Sequence, residues 1–213
     1  MKALILVDLQ NDFLPGGPMA VPGAEEVIPL ANQLQGCFRL VVATQDWHPP
    51  NHGCFAANHP GRRVGEFIRL AKMLQVLQPV HCVQNTPGAQ LAPNLLRTRI
   101  NRIFRKGTDP AYDSYSAFFD LGHRQPTGLG TYLLERHVRE VYLLGLATDQ
   151  CIKFSALDAV GLGFKTFVIE DACRGLERRP GDVAAALKEM TAAGVTLVQS
   201  QALLTAPARL WKK

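Results

Sequence analysis

Along the chain, short runs of consecutive apolar residues alternate with stretches whose apolar positions recur every three or four residues. The runs ALILVD (3–8), RLVVAT (39–44), RIFRK (102–106), EVYLLGLA (140–147), KTFVIE (165–170) and VTLVQ (195–199) predict strands. Uninterrupted cores such as LILV and LVVA suit strands covered on both faces, as in a parallel sheet. Helical spacing falls on EEVIPLANQLQ (25–35), GTYLLERH (130–137), CIKFSALDAVGLG (151–163) and GDVAAALKEMTAAG (181–194). The last two close on Gly, a common helix stop. This alternation predicts an α/β fold: a three-layer αβα sandwich with a mostly parallel, doubly wound sheet of about six strands. With no internal repeat and no linker, residues 1–213 are expected to form one domain.

Residues 45–90 break this rhythm. Seven Pro and Gly residues precede Val83 there, and four of the six histidines fall in the stretch. It reads as a long irregular excursion after the second strand, with one helix at FIRLAKMLQ (67–75). Long loops in compact domains are usually functional, and ligands of open α/β sheets sit beyond the carboxyl ends of the strands. The reactive residues fall at those ends. Asp8 closes the first predicted strand, Asp46 follows the second, Lys106 ends the third and Cys151 follows the fourth. Singly, each has an ordinary reading: a turn residue, an exposed Lys, a buried inert thiol. Together they would converge on one edge of the sheet.

In GLATDQC (145–151), Thr148 and Asp149 offer caps to a helix starting at the strand end, and Cys151 falls in its first turn. Outward N–H groups and the helix dipole favour a thiolate there, and the same N–H groups could hold an oxyanion. An adjacent Lys106 would lower the thiol pKa further, and Asp8 could relay its proton. The excursion contributes Asp46, His48, His52, His59 and His81. D-x-H in extended backbone turns an oxygen and a nitrogen to the same face. A distant His completes a mixed N/O set suited to Zn, Fe or Mn with open positions.

Composition narrows the alternatives. A chain of 213 residues, 47% apolar and 19% charged, can bury a sizeable core. Its net charge of +5 gathers in 97–106, in Arg62 and Arg63, and in 135–139. With no interleaved aromatics and no nucleic-acid motif, these clusters read as solvated helical faces. The N-terminal apolar run is short, lacks a small-residue cleavage site and reads as a buried strand. No later run reaches spanning length, so the expectation is a cytoplasmic protein without membrane contact. The five cysteines are odd in number and form no C-x-x-C, and read as free thiols.

VDLQNDF (7–13), ATQDWHP-x-NHG-x-FA (43–56), HCVQNTPGA (81–89), FRKG (104–107), DSYSAFFD (113–120) and GLATD-x-C (145–151) together resemble the nicotinamidase/pyrazinamidase family of the isochorismatase-like cysteine hydrolases. The resemblance runs from residue 3 to about residue 194. It implies an isochorismatase-like fold and a metal-dependent amidohydrolase, converting nicotinamide (and pyrazinamide) to nicotinate and ammonia through a thioester, in NAD salvage. It implies that Asp8 is general base and acid, that Lys106 stabilises thiolate and developing charge, and that Cys151 is the nucleophile. The backbone amides of Ala147 and Cys151 would form the oxyanion hole, with a cis peptide before Ala147. One divalent metal, Zn first and Fe or Mn as alternatives, would be held by Asp46, His48 and His81. His52, a ligand in some members only, takes second rank. Phe13 and Tyr115 match ring-pocket positions. Two departures stand out. Gln78 precedes Pro79 where the family carries Trp at or near that position, which puts Gln78 in the place of an aromatic wall. The covering segment 62–78 also matches poorly. A different small amide is therefore the alternative substrate, and a catalytically silent metal-binding domain the alternative from another class. The implied partner is a small aromatic amide, with neither nucleic acid nor membrane, and homo-oligomerisation left open.

Overall fold

Eight strands occur in the computed structural model, which describes residues 1–205. They are β1 (Lys2–Val7), β2 (Leu40–Asp46), β3 (Phe67–Leu70), β4 (Met73–Val76), β5 (Arg102–Lys106), β6 (Glu140–Leu146), β7 (Lys165–Arg174) and β8 (Thr196–Val198). Six pair in parallel in the order β5-β2-β1-β6-β7-β8. The apolar runs explain the middle of this order. Leu4, Ile5 and Leu6 of β1 are fully buried, and burying each side chain contributes about 1.5–3 kcal/mol. Only a central strand with helices on both faces gives such a run somewhere to go.

The helices are α1 (Val27–Leu34), α2 (Leu129–Glu135), α3 (Lys153–Gly161), α4 (Asp182–Ala192) and α5 (Ser200–Leu204). α1 buries Val27, Ile28, Ala31 and Leu34 as one stripe and packs beside α5. α3 and α4 pack together. The β1-α1-β2 unit steps one way along the sheet and β6-α3-β7 the other, and the right-handed rule for parallel crossovers then sends the two pairs to opposite faces. The direction reverses between β1 and β6, so their carboxyl ends diverge into a crevice. Asp8 follows one strand and Cys151 the other. The expected α/β sandwich and its six sheet strands are all present.

Three local expectations fail. Residues 67–75 form no helix. They build the antiparallel hairpin β3–β4, joined by Ala71 (φ 46°) and Lys72 (φ 72°). Two left-handed residues make the tight turn whose twist suits a hairpin, yet neither is the Gly or Asn that announces it. Thr148 and Asp149 do not cap a helix; a single π-helical turn, Thr148–Ile152, leads into α3 without a side-chain cap. Asp149 instead accepts hydrogen bonds from the N–H groups of Leu176 and Glu177, an across-site contact that sequence spacing does not reveal. The cluster at 97–106 is no helical face either. It runs through a turn into edge strand β5, where Arg105 lies over Trp47 and Arg102 over Phe104 and Tyr132. No described helix is long and apolar enough to cross a membrane.

Candidate active site

Strand register brings the first charges together. Asp46 and Lys106 are direct partners at the ends of β2 and β5, so both side chains emerge on the same side of the sheet edge. Asp8 leaves β1 with φ 51°, a left-handed turn that Asp tolerates better than most residues. Its N–H donates to Thr44 Oγ1 (3.1 Å), whose hydroxyl donates back to Asp8 Oδ1 (2.5 Å). Gln10 clamps the neighbouring backbone: its amide donates to Asp46 O and accepts from Asp46 N, both at 2.8 Å.

Lys106 is the hub. Its Nζ lies 2.5 Å from Asp46 Oδ1, 2.8 Å from Asp8 Oδ2 and 3.5 Å from Cys151 Sγ, and donates to Ser114 O at 3.0 Å. Lys106 is 2% exposed and Asp8 fully buried. Burial alone would push the ammonium down, but Asp46, Asp8 and Cys151 hold its pKa well above the ordinary value. Burial raises Asp8, with Lys106 opposing and Asp46 reinforcing the rise. The thiol behaves differently from expectation. Burial raises Cys151 well above its usual range, and Asp8 and Asp46 add to this against Lys106. Desolvation and the two carboxylates thus favour the protonated sulfur, and the Lys106 ammonium opposes them.

Asp46, His48 and His81 each offer one donor atom, and the three atoms lie within 4.8 Å of one another. His48 Nδ1 is engaged by Gly107 O and His81 Nδ1 by Pro79 O, both at 2.9 Å. Each ring is thereby fixed with Nε2 as the free lone pair, the arrangement of a metal-ligating imidazole. Gly107 has φ 64°, and a Cβ there would overlap the His48 ring. Burial lowers both histidines to about 4, so they are neutral donors at pH 7. This is a divalent-metal donor set. His52 sits beside His48, with ring centroids 4.4 Å apart. Its Nδ1 accepts from Cys54 N (3.1 Å), which leaves Nε2 to donate to Tyr112 O (3.3 Å). Both nitrogens are thus already used. His59 bonds Gly53 O instead.

Above Cys151 opens a cleft lined in part by Phe13, Tyr115, Gln78, His81 and Leu146. The Leu146–Ala147 peptide, where the resemblance places a cis bond, is cis. Gln78 does face this cleft. It is 5% exposed, and its backbone is held on both sides by Cys54 O and Ala56 N. Phe67, at 55% exposure, supplies no wall. Sequence reasoning passed over Thr44, Gln10, Gln75 and Asp113. Asp113 is buried against His48 and His52 and receives Ser114 N (2.8 Å) and Gln75 Nε2 (2.9 Å). A polar residue inside an apolar strand, as in LVVAT, and the opening Asp of DSYSAFFD were the signals available.

Comparison with known proteins agrees with this geometry. The isochorismatase domain model matches residues 2–202. The nicotinamidase of Escherichia coli K12 is 48% identical over 206 residues, spanning 92% of this chain and 93% of that one. A nicotinamidase/pyrazinamidase structure from Acinetobacter baumanii superposes with TM-score 0.91 at 50% identity, covering 95% of this chain and 97% of the other. The pyrazinamidase of Pyrococcus horikoshii, solved with zinc, gives 0.75 at 37% identity, covering 93% and 98%. The chain belongs to the isochorismatase family and, within it, to the nicotinamidases.

Proposed function

We propose that this protein hydrolyses nicotinamide to nicotinate and ammonia, accepting pyrazinamide as well, in pyridine-nucleotide salvage. One observation carries the reading: Lys106 Nζ joins Asp8, Asp46 and Cys151 at the closed end of an aromatic-lined cleft. Asp8 Oδ2 is buried, pairs with the Lys106 ammonium at 2.8 Å and has no other partner among the described residues. An Asp8 carboxylate oxygen lies within 4.8 Å of the Cys151 sulfur, so Asp8 is assigned as the acceptor for the thiol proton. As that proton leaves, Cys151 Sγ attacks the carboxamide carbon and Lys106 neutralises the charge that gathers beside it. The N–H groups of Ala147 and Cys151 are assigned to the resulting oxyanion. Asp8 returns the proton to the amide nitrogen, the C–N bond breaks and ammonia departs. A water then gives its proton to Asp8 and attacks the thioester. Nicotinate leaves and the sulfur recovers its proton. The raised Asp8 pKa suits a group that must both take and give a proton during the reaction.

Asp46, His48 and His81 are proposed to hold the metal, zinc by analogy with the Pyrococcus relative, with His52 outside the ligand set. When bound, the ion would supply a Lewis-acid site for the ring nitrogen or for water. Phe13, Tyr115 and Gln78 are assigned to the ring. The five unpaired thiols fit a reducing compartment, and the cytoplasm is the proposed location.

The test is ammonia release from nicotinamide, pyrazinamide and aliphatic amides, in wild type and in Cys151→Ala. Nicotinamide should lead the series, and Cys151→Ala should lose on the order of 10⁴-fold or more with an unchanged melting temperature. Wild-type-like turnover in that variant would sink the covalent mechanism.

A further inference from the structure

The cleft over Cys151 has a neighbour on its outer side. Across Met19 and Leu176 lies an outer compartment of about 280 Å³, walled by Pro18, Val64, Leu77 and Pro79. Met19, Leu176 and Arg178 border both spaces. The outer walls are apolar, and Arg178 is the one charged side chain that lines them.

That guanidinium is poised rather than committed. Arg178 forms no ion pair among the described residues. The adjacent Glu177 turns its carboxylate elsewhere, accepting from Gly181 N (2.5 Å) and Val183 N (2.9 Å). The loop is also held from the other side, where Asp149 takes the N–H groups of Leu176 and Glu177 at 2.8 and 3.0 Å. A fixed loop thus presents a cation without an ion-pair partner at the rim of an apolar recess that shares Met19, Leu176 and Arg178 with the cleft. At about 280 Å³ the outer space approaches the lower end of the roughly 300–1,000 Å³ that small-molecule pockets span.

We propose that this outer compartment is a second substrate subsite, taking a short apolar arm on the ring of an aryl carboxamide when that arm ends in a carboxylate. The apolar walls receive the methylenes and Arg178 pairs with the terminal anion. The proposal rests on the amidase reading for the inner space and extends its substrate class from bare pyridine carboxamides to arm-bearing ones.

Nicotinamides carrying a 2-carboxyethyl arm, or the similarly shaped neutral 3-methylbutyl arm, at each free ring carbon provide the test. Binding is measured by calorimetry on Cys151→Ala, and ammonia release on wild type in parallel. At one ring position both arms should bind, with the carboxylate favoured by about two- to fivefold at low salt. The preference should fall as ionic strength rises, vanish in Arg178→Ala and reverse in Arg178→Glu. Exclusion of the arms at every position, or a carboxylate preference that survives Arg178→Ala, would overturn the subsite. If wild type releases no ammonia from nicotinamide while this binding order holds, the amidase reading falls and the subsite stands.

Discussion

The two halves of the site are built by different means. Asp8, Asp46, Lys106 and Cys151 sit at the ends of neighbouring parallel strands, and backbone register alone sets Asp46 opposite Lys106. His48, His81 and Gln78 belong to the excursion, where single bridges and side-chain hydrogen bonds do that work. His48 bridges to Val83, Phe55 to Gln78, and Asp12 Oδ2 accepts the N–H of Cys82 at 2.6 Å. The strand-end half is stiff because the sheet cannot shift one residue without turning a whole strand inside out. The excursion half can be loosened one contact at a time.

Lys106→Ala should produce the largest effect, because it strikes the stiff half at its only cation. Asp8 and Asp46 would be left buried as like charges, costing about 3–5 kcal/mol of stability together with turnover. The sign with pH follows from Asp8, whose folded pKa lies above its ordinary value. A raised acid penalises folding at pH above the unfolded value and not below it, so the deficit should shrink as pH falls from 7 towards 4. Denaturant melts of both proteins across that range check this, and a deficit independent of pH would remove the charge argument.

In the excursion, chelation, His48→Ala and His81→Ala should each remove one equivalent of metal and cut turnover at least tenfold, on the scale of about 10–100-fold known for groups orienting metal ligands. His52→Ala should retain the metal by elemental analysis, since both its ring nitrogens already serve the backbone. Metal loss there would move His52 into the ligand set.

Asp12→Ala tests whether the excursion is loosened piecemeal. It orphans the Cys82 N–H next to His81, so stability should drop by about 1–3 kcal/mol. Metal affinity should weaken by roughly tenfold, with the thiol's reactivity to iodoacetamide unchanged. Parallel loss of both would show the two halves to be one unit.

The smallest effect belongs to Gln78→Trp. A stacked ring gains about 0.5–1.5 kcal/mol beyond burial, so KM for nicotinamide should fall a few-fold, with kcat nearly constant. Because the backbone of Gln78 is held on both sides, the new ring has one direction to point. A KM that stays put would place the aromatic wall elsewhere.

What the sequence determined by itself is the part of the protein written in near-neighbour patterns. Apolar runs of strand length, helical spacing and terminal glycines placed all six sheet strands and α1 to α4. A parallel sheet then obliges the residues after its strands to share one edge, so Asp8, Asp46, Lys106 and Cys151 could be grouped before any coordinates. The blocks carrying His48 and His81 were legible for the same reason, being short and local. Only the tertiary structure decided what depends on distant partners. The β3–β4 hairpin forms through Ala71 and Lys72, residues without turn chemistry, and Gln75 fastens it to Asp113 and Tyr115. Asp149 ties the 176–177 loop across the site instead of capping a helix. The state of the Cys151 thiol could not be inferred from a helix start and a neighbouring Lys. It depends on two buried carboxylates and on desolvation, and burial is a property of the whole packed chain.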